Sequence, residues 1–328
     1  TGWPKSSEDK SILIKTTGES KIELSGFDLD LGITTSMNVR IERGGAVVLN
    51  AKTLCDILKH LPEENVVIDC DDKNVCTIKS GNVEYTIISM NPDEYPELPK
   101  ITDEVPFTVS QSVLKDMVRQ TIFAVSVDDS KAVHRGIKFE ITAGQIKLVA
   151  LDGYRLAIRN EFTDYSGNDI SFVVPAKTLA EVIKLINDED NFIKISIGRR
   201  HIIFNIGDYS LISRLLEGDF LDYRSAIPSA KSATVRVNTK KLIECIERAS
   251  IIITEKTRSP IRFIFDEDII KISAVTALGS SNDRIEASTD GKRTEIGFNN
   301  RFMLDALRSC ETDEVLINLN GPLAPAII

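Results

Sequence analysis

The chain has 328 residues, enough for two or three domains with a core each. Hydrophobic residues make up 42% and charged residues 27%, which excludes a disordered chain, and no apolar run nears the ~18 residues of a membrane span. The net charge of −9 disfavours nucleic-acid binding by the whole surface but leaves room for a local basic face.

The opening Thr1-Gly2-Trp3-Pro4-Lys5 shows no basic-then-apolar secretory signal. Cys55, Cys70, Cys76, Cys245 and Cys310 are odd in number and include no Cys-x-x-Cys pair. A disulfide framework or a zinc site is not expected, and a reducing cytoplasm fits.

In chain order, Lys21–Ser25 alternates as a strand, and Val47–Asn50 leads as a strand into a helix with apolar residues Leu54, Ile57, Leu58 and Leu61. Asp69-Cys70-Asp71-Asp72 reads as a solvated turn between strands, with Cys70 and Cys76 as small core residues. Tyr85–Ser89 is a strand. Leu114, Met117, Val118 and Ile122 form a second helical stripe, and Asp128-Asp129-Ser130 a polar loop. Ile146–Val149 is a strand running into the Asp152-Gly153 turn, and Phe172–Pro175 leads into a helix striped by Leu179, Val182, Ile183 and Ile186. Tyr209–Ser213 is a strand, Leu242, Cys245, Ile246 and Ala249 a stripe, Ile270–Ser273 a strand, and Met303, Ala306, Leu307 and Cys310 the last stripe. Turn glycines Gly18, Gly81, Gly144 and Gly207 make the sheets antiparallel.

These elements repeat. Ala51-Lys52-Thr53-Leu54 recurs as Ala176-Lys177-Thr178-Leu179, and more loosely as Asn300-Arg301-Phe302-Met303. Asp28 matches Asp152, and Tyr85–Ser89 matches Tyr209–Ser213 at the same offset. Three full copies would exceed the chain, so the first is read as lacking its start and the third its end. The expectation is an α+β protein of three repeated domains, residues 1–101, 102–228 and 229–328, each of antiparallel sheet plus two helices.

Catalytic vocabulary is sparse. His60, His134 and His201 stand alone and read as surface or structural residues, and no phosphate loop or nucleophile elbow occurs. An enzyme built on Asp152 and Arg155 lacks a second acid, base or nucleophile. Two features stand out. Only the second repeat carries Gly153-Tyr154-Arg155 after its aspartate, marking a unique site. Lys52, Lys177 and Arg301 hold one position at the start of the same helix in all three repeats, among Lys59, Lys184, Lys115, Arg119, Lys240, Lys241 and Arg248. They read either as ordinary exposed cations or, around an axis, as a polyanion site.

Leu151-Asp152-Gly153-Tyr154-Arg155-Leu156-Ala157 resembles the Thr-Asp-Gly-His-Arg-Leu-Ala motif of the bacterial DNA polymerase III beta subunit family, the DNA sliding clamps. Phe220-Leu221-Asp222-Tyr223-Arg224, Glu295–Asn299 and Pro322-Leu323-Ala324-Pro325 are similar to further segments of that family. The resemblance runs in order over nearly the whole chain. It implies the DNA clamp fold, closed into a ring by head-to-tail dimerisation, with helices lining a hole for duplex DNA and no active site or cofactor. The implied partners are duplex DNA without sequence preference, the polymerase catalytic subunit, the clamp loader, and other polymerases or repair proteins that dock short linear peptides. A cytoplasmic location and no membrane partner follow. A monomeric peptide-binding hub that does not encircle DNA is the alternative.

By position, the resemblance places His134, Leu151, Gly153, Tyr154, Arg155, Leu156, Leu221, Ser225, Ala226, Leu323 and Pro325 in the peptide pocket. Leu151, Tyr154, Leu221 and Ser225 depart from the family's Thr, His, Pro and Arg, and a further apolar wall is expected from a strand beyond Ile328. Lys52, Lys131 and Lys177 map to DNA-facing positions, joined by Arg301 from the repeat. Tyr85, Ile87, Ile251 and Ile252 map to the dimer interface. Ile251 and Ile252 follow the Leu242–Ala249 stripe and are also readable as core.

Overall fold

A computed structural model describes residues 10–62, 65–101, 105–128, 131–187, 191–254 and 259–328. The first five residues, Thr102, Asp129 and Ser130 lie outside them. The chain forms two compact units, one of residues 1–115, 138–147 and 160–217, the other of 116–137, 148–159 and 218–328.

One four-strand pattern occurs three times. In the first copy the spatial order is Ala46–Asn50, Ser11–Thr16, Lys21–Phe27, Leu31–Asn38. In the second it is Ile170–Pro175, Gly136–Thr142, Gln145–Leu151, Leu156–Phe162. In the third it is Thr294–Phe298, Ile261–Phe265, Ile269–Thr276, Gly279–Glu286. The fourth strand of each set returns beside the first and runs directly into a helix: α1 (Ala51–Lys59), α3 (Ala176–Leu185) or α5 (Asn300–Arg308). The other helix type appears as α2 (Gln111–Ile122) and α4 (Thr239–Ser250). The internal triplication is therefore a repeat of topology as well as of sequence.

Local chemistry sets the helix starts. The Asn50 side chain accepts from the Thr53 N–H at 2.9 Å, Asn238 from Lys241 at 3.0 Å and Asn299 from Arg301 at 3.0 Å. Each such cap satisfies an orphan N–H and is worth about 1 kcal/mol. Pro175 stands at this place before α3 and makes no such bond.

In the first unit, Leu31–Asn38 pairs antiparallel with Tyr209–Arg214 and joins the first four-strand set to Tyr209–Arg214, His201–Ile206, Phe192–Ile197 and Val105–Ser110 in one eight-stranded sheet. Gly32 lies opposite Ile212 at this junction. A Cβ there would collide with Leu98 and come within 2.9 Å of Ile212, so no larger residue fits without displacing them. In the second unit, Val235, Leu242, Cys245, Ile246, Phe263, Phe265, Ile272, Met303 and Leu307 form one buried cluster. Fully burying each large side chain contributes about 1.5–3 kcal/mol, and this holds α4 and α5 on the sheet.

The stripes hold with one exception. Leu54 and Ile57 are buried on α1, but Leu58 is exposed. Nine residues make only two and a half turns, and Leu58 lies outside the arc that Leu54 and Ile57 bury. The acidic turn also moves: Asp69 and Cys70 end the strand Val67–Cys70, and the turn itself is Asp71–Asn74. Pairing of Asp69 with Thr77 and Cys70 with Cys76 places both in the ladder, and Arg43 bonds the Asp69 carboxylate at 2.7 Å and the Cys70 carbonyl at 2.7 Å.

Candidate functional site

The Asp152 turn begins with a side chain capping its own backbone. Asp152 Oδ1 accepts from the N–H groups of Tyr154 at 2.9 Å and Arg155 at 3.0 Å. The turn needs a left-handed residue next, and Gly153 supplies it at φ +91°. In the first copy, Asp28 Oδ1 likewise accepts from the N–H groups of Asp30 at 3.2 Å and Leu31 at 2.8 Å, with Leu29 forced to φ +77°. The scaffold is shared, and the side chains it presents are not.

Arg155 is held from four directions. Its Nε donates to Asp152 Oδ2 at 3.0 Å and its Nη1 to Asp305 Oδ2 at 2.6 Å. The guanidinium lies 4.3 Å from the Phe302 ring centre and 5.5 Å from that of Phe123. A planar fork suits this arrangement, because it takes two carboxylates at its edge and aromatic rings at its faces. Tyr154 is 87% exposed, with its ring 6.2 Å from Phe302.

Beside this turn, Leu151 and Tyr223 are buried with Val149, and Leu156, Ile158 and Phe220 pack against them. His134 is buried at the end of a short helical turn, Ala132–Arg135. Its Nε2 accepts from the Leu221 N–H at 3.4 Å, and its ring meets Phe220 edge-on at 5.3 Å. Burial, with the nearby Lys131 charge, holds its pKa below the ordinary histidine value and favours the neutral, accepting ring. His134 is thus the structural histidine that a lone histidine suggests, and it sets the path of the segment bearing Leu221.

Of the eleven candidate pocket residues, the structure gathers His134, Leu151, Gly153, Tyr154, Arg155, Leu156 and Leu221 around the turn and its apolar floor. Ser225 and Ala226 are exposed on the helical turn Tyr223–Ala226, and Leu323 (99% exposed) and Pro325 lie near the end of the chain. Phe302, Asp305 and Phe123 were missed. Asp305 is 150 residues from Arg155, and no local pattern links them. Phe302 follows Arg301 directly, so its signal was present but was absorbed into the helix-cation pattern.

Lys52, Lys177 and Arg301 are each the second residue of their helix and all exposed. Lys177 is not a free cation: its Nζ donates to Asp28 Oδ2 at 2.7 Å. Burial would raise the Asp28 pKa, but the bonds from Lys177, Leu31 and Asp30 outweigh it and hold the carboxyl below its usual value. Lys184 and Arg248 also pair, with Glu181 at 2.8 Å and Asp283 at 2.7 Å. Lys131 is exposed just before the His134 turn. Tyr85 and Ile87 lie on one face of the edge strand Val83–Ile88, with Ile87 packed on the core. Ile251 closes α4 and is 80% exposed, which rules out the core reading for it, while Ile252 is half-buried. Among the described residues, no helix is long and apolar enough to cross a membrane.

Models of the DNA polymerase III beta subunit match the chain in order: the N-terminal domain over residues 10–99, the central domain over 108–222 and the C-terminal domain over 224–328. Beta sliding clamps of Halalkalibacterium halodurans and Staphylococcus aureus are each 29% identical over 94% of this chain, and over 84% and 85% of their own lengths. A crystal structure described as a DNA polymerase III beta subunit of Eubacterium rectale superposes with a TM-score of 0.94 at 31% identity, covering 99% of this chain and 89% of that one. The Bacillus subtilis sliding clamp gives 0.93 at 28%, covering 96% and 86%. That of Bartonella birtlesii, bound to griselimycin, gives 0.91 at 28%, covering 98% and 88%. Fold and site together define a non-catalytic processivity factor of the three-domain DNA clamp fold, whose members close into rings by dimerisation. The chain belongs to the DNA polymerase III beta subunit family, and it serves DNA replication as sliding clamps do, binding DNA and polymerase partners.

Proposed function

We propose that the Asp152–Arg155 turn and its apolar floor form the pocket in which partner proteins dock short linear peptides. The carrying observation is the site's composition: Leu151, Leu156, Phe220 and Tyr223 supply an apolar base, and a fixed Arg155 and an exposed Tyr154 ring stand beside it. A greasy cleft with few positioned polar groups is what a short apolar peptide needs. The Bartonella birtlesii clamp was solved with a bound ligand, griselimycin, which supports a ligand-binding site on clamps of this fold. Leu221, Ser225, Ala226, Leu323 and Pro325 form its rim, and His134 keeps Leu221 in place. The partners are the polymerase catalytic subunit, the clamp loader, and other polymerases or repair proteins.

The proposal extends to the ring. Two chains, each of domains 1–101, 102–228 and 229–328, close head-to-tail through Tyr85 and Ile87 on one and Ile251 and Ile252 on the other. Lys52, Lys131, Lys177 and Arg301 face the enclosed duplex, and the protein works in the cytoplasm. Leu156→Asp tests the pocket. It should abolish binding of a labelled polymerase-derived peptide in fluorescence anisotropy, while gel filtration still shows a dimer. Undiminished affinity in a folded, dimeric variant would move the pocket elsewhere.

A further inference from the structure

Cys70 and Cys76 are direct partners across the hairpin of Val67–Cys70 and Val75–Ser80. Five residues separate them in sequence. Asp71 N–H donates to the Val75 carbonyl at 3.0 Å, so the 71–75 pair is the hydrogen-bonded one. The next pair, 70–76, is then the non-hydrogen-bonded kind, whose Cα atoms approach to about 4.5 Å. That spacing lies within the range of about 4.4–6.8 Å that a disulfide spans. Both thiols are free, and their side chains leave the same face of the hairpin as directly opposed residues. The hairpin is held on either side of them. Asp71 Oδ1 accepts from Lys73 at 2.9 Å and Val75 at 2.8 Å, and Arg43 grips the Cys70 carbonyl at 2.7 Å. Cys76 is fully buried and Cys70 only partly, so one thiol is reachable and the other lies directly behind it.

We propose that Cys70 and Cys76 are an oxidative modification site, closed to a cross-strand disulfide by small-molecule disulfides of the oxidised-glutathione class. The Cys70 thiolate attacks one sulfur of the reagent. The reagent's S–S bond breaks, a mixed disulfide forms on Cys70, and one glutathione leaves as thiolate. Cys76, deprotonated, then attacks the Cys70 sulfur and expels the second glutathione. Two protein thiols lose two protons and two electrons, and one reagent disulfide is reduced to two thiols. Burial, the neighbouring thiol and Asp69 push the Cys70 pKa up to about 12. The thiolate is therefore scarce at neutral pH and the reaction is slow, quickening about tenfold per pH unit as that population grows. The site stands independently of the clamp reading.

The test uses the full chain, reduced, freed of reductant and incubated folded with oxidised glutathione at pH 7, 8 and 9. Remaining thiols are alkylated, and the protein is digested with trypsin without reduction. Trypsin cuts after Lys73, between the two cysteines, so a cross-link alone keeps the two peptides together. The expected result is the linked pair, an intact mass lower by two hydrogens, and a rate that climbs steeply with pH. Cys76→Ser should stop at a Cys70 mixed disulfide. Wild-type protein in which both thiols stay open to alkylation, or in which the mixed disulfide accumulates unresolved, overturns the proposal.

Discussion

Arg155 and Asp305, 150 residues apart, meet at 2.6 Å. This bond ties the turn unique to the second repeat to helix α5 of the third. Asp152 takes a second edge of the same guanidinium at 3.0 Å. With two carboxylates on it, Arg155 is not an open receptor for a peptide carboxylate. It offers a fixed, flat surface stacked on Phe302, continuous with the apolar floor.

Removing this tie should be felt in stability. Both side chains are about three-quarters or more buried, at 19% and 28% exposure. Asp305→Ala is expected to cost about 1–2 kcal/mol, read as a lower urea midpoint, since a charged hydrogen bond is removed and Arg155 keeps only one partner. Arg155→Lys should lose a similar amount, because an ammonium cannot bond both carboxylates in plane and stack at once. Unchanged midpoints in both variants would reduce the network to an incidental one.

The helix cations divide into two kinds. Lys52→Glu and Arg301→Glu should each flatten the salt dependence of DNA retention, by about 0.9 in the log–log slope for every phosphate no longer neutralised. Lys177→Glu sets a carboxylate against Asp28, whose bond to it is 2.7 Å now, and should also lower stability. Asp28→Asn frees Lys177 and should strengthen retention. A slope unmoved by the first two changes removes those residues from the DNA-facing set.

His134 gives a pH dependence of known sign. Its folded pKa lies below 6.5, the ordinary value taken for the unfolded chain. Above that pH both states hold a neutral ring. As pH falls through 6.5, the unfolded chain takes up a proton that the folded ring resists, so stability drops until the folded pKa is passed. His201, lowered by burial and by Arg214 and Arg200, adds a loss of the same sign. Urea midpoints measured between pH 7 and about 5.5 should fall for the wild type and fall less for His134→Gln. Parallel curves would mean that His134 titrates alike in both states.

Ile251 is 80% exposed at the end of a helix whose Leu242, Cys245, Ile246 and Ala249 are buried. Ile251→Ala with Ile252→Ala should leave the fold intact and shift gel filtration from dimer to monomer at low concentration. A dimer retained under those conditions would place the interface on other residues.

Periodicity and repetition carried the fold a long way. The stripes of α1 to α5 and the recurring Ala-Lys-Thr-Leu are local patterns, and burial of a single face enforces them along each element. Resemblance to a known family did more for the site, because a motif such as Asp152-Gly153-Tyr154-Arg155 carries its turn chemistry in adjacent residues. Pairs joined only in space had no such signal. The partnership of Cys70 with Cys76 depends on strand register, and that of Lys177 with Asp28 on a helix meeting a turn 149 residues away.

By itself, then, the sequence determined where the five helices and a part of the strands lie, that three copies share one plan, and which copy departs from it, since these follow from side-chain order along the chain. Tertiary structure alone decided that Asp305 and Phe302 hold Arg155, that Lys177 is already paired, that Leu58 and Ile251 face outward, and that His134 fixes Leu221. Each of these depends on distance and burial between residues far apart in sequence, and only the packing of whole elements sets those quantities.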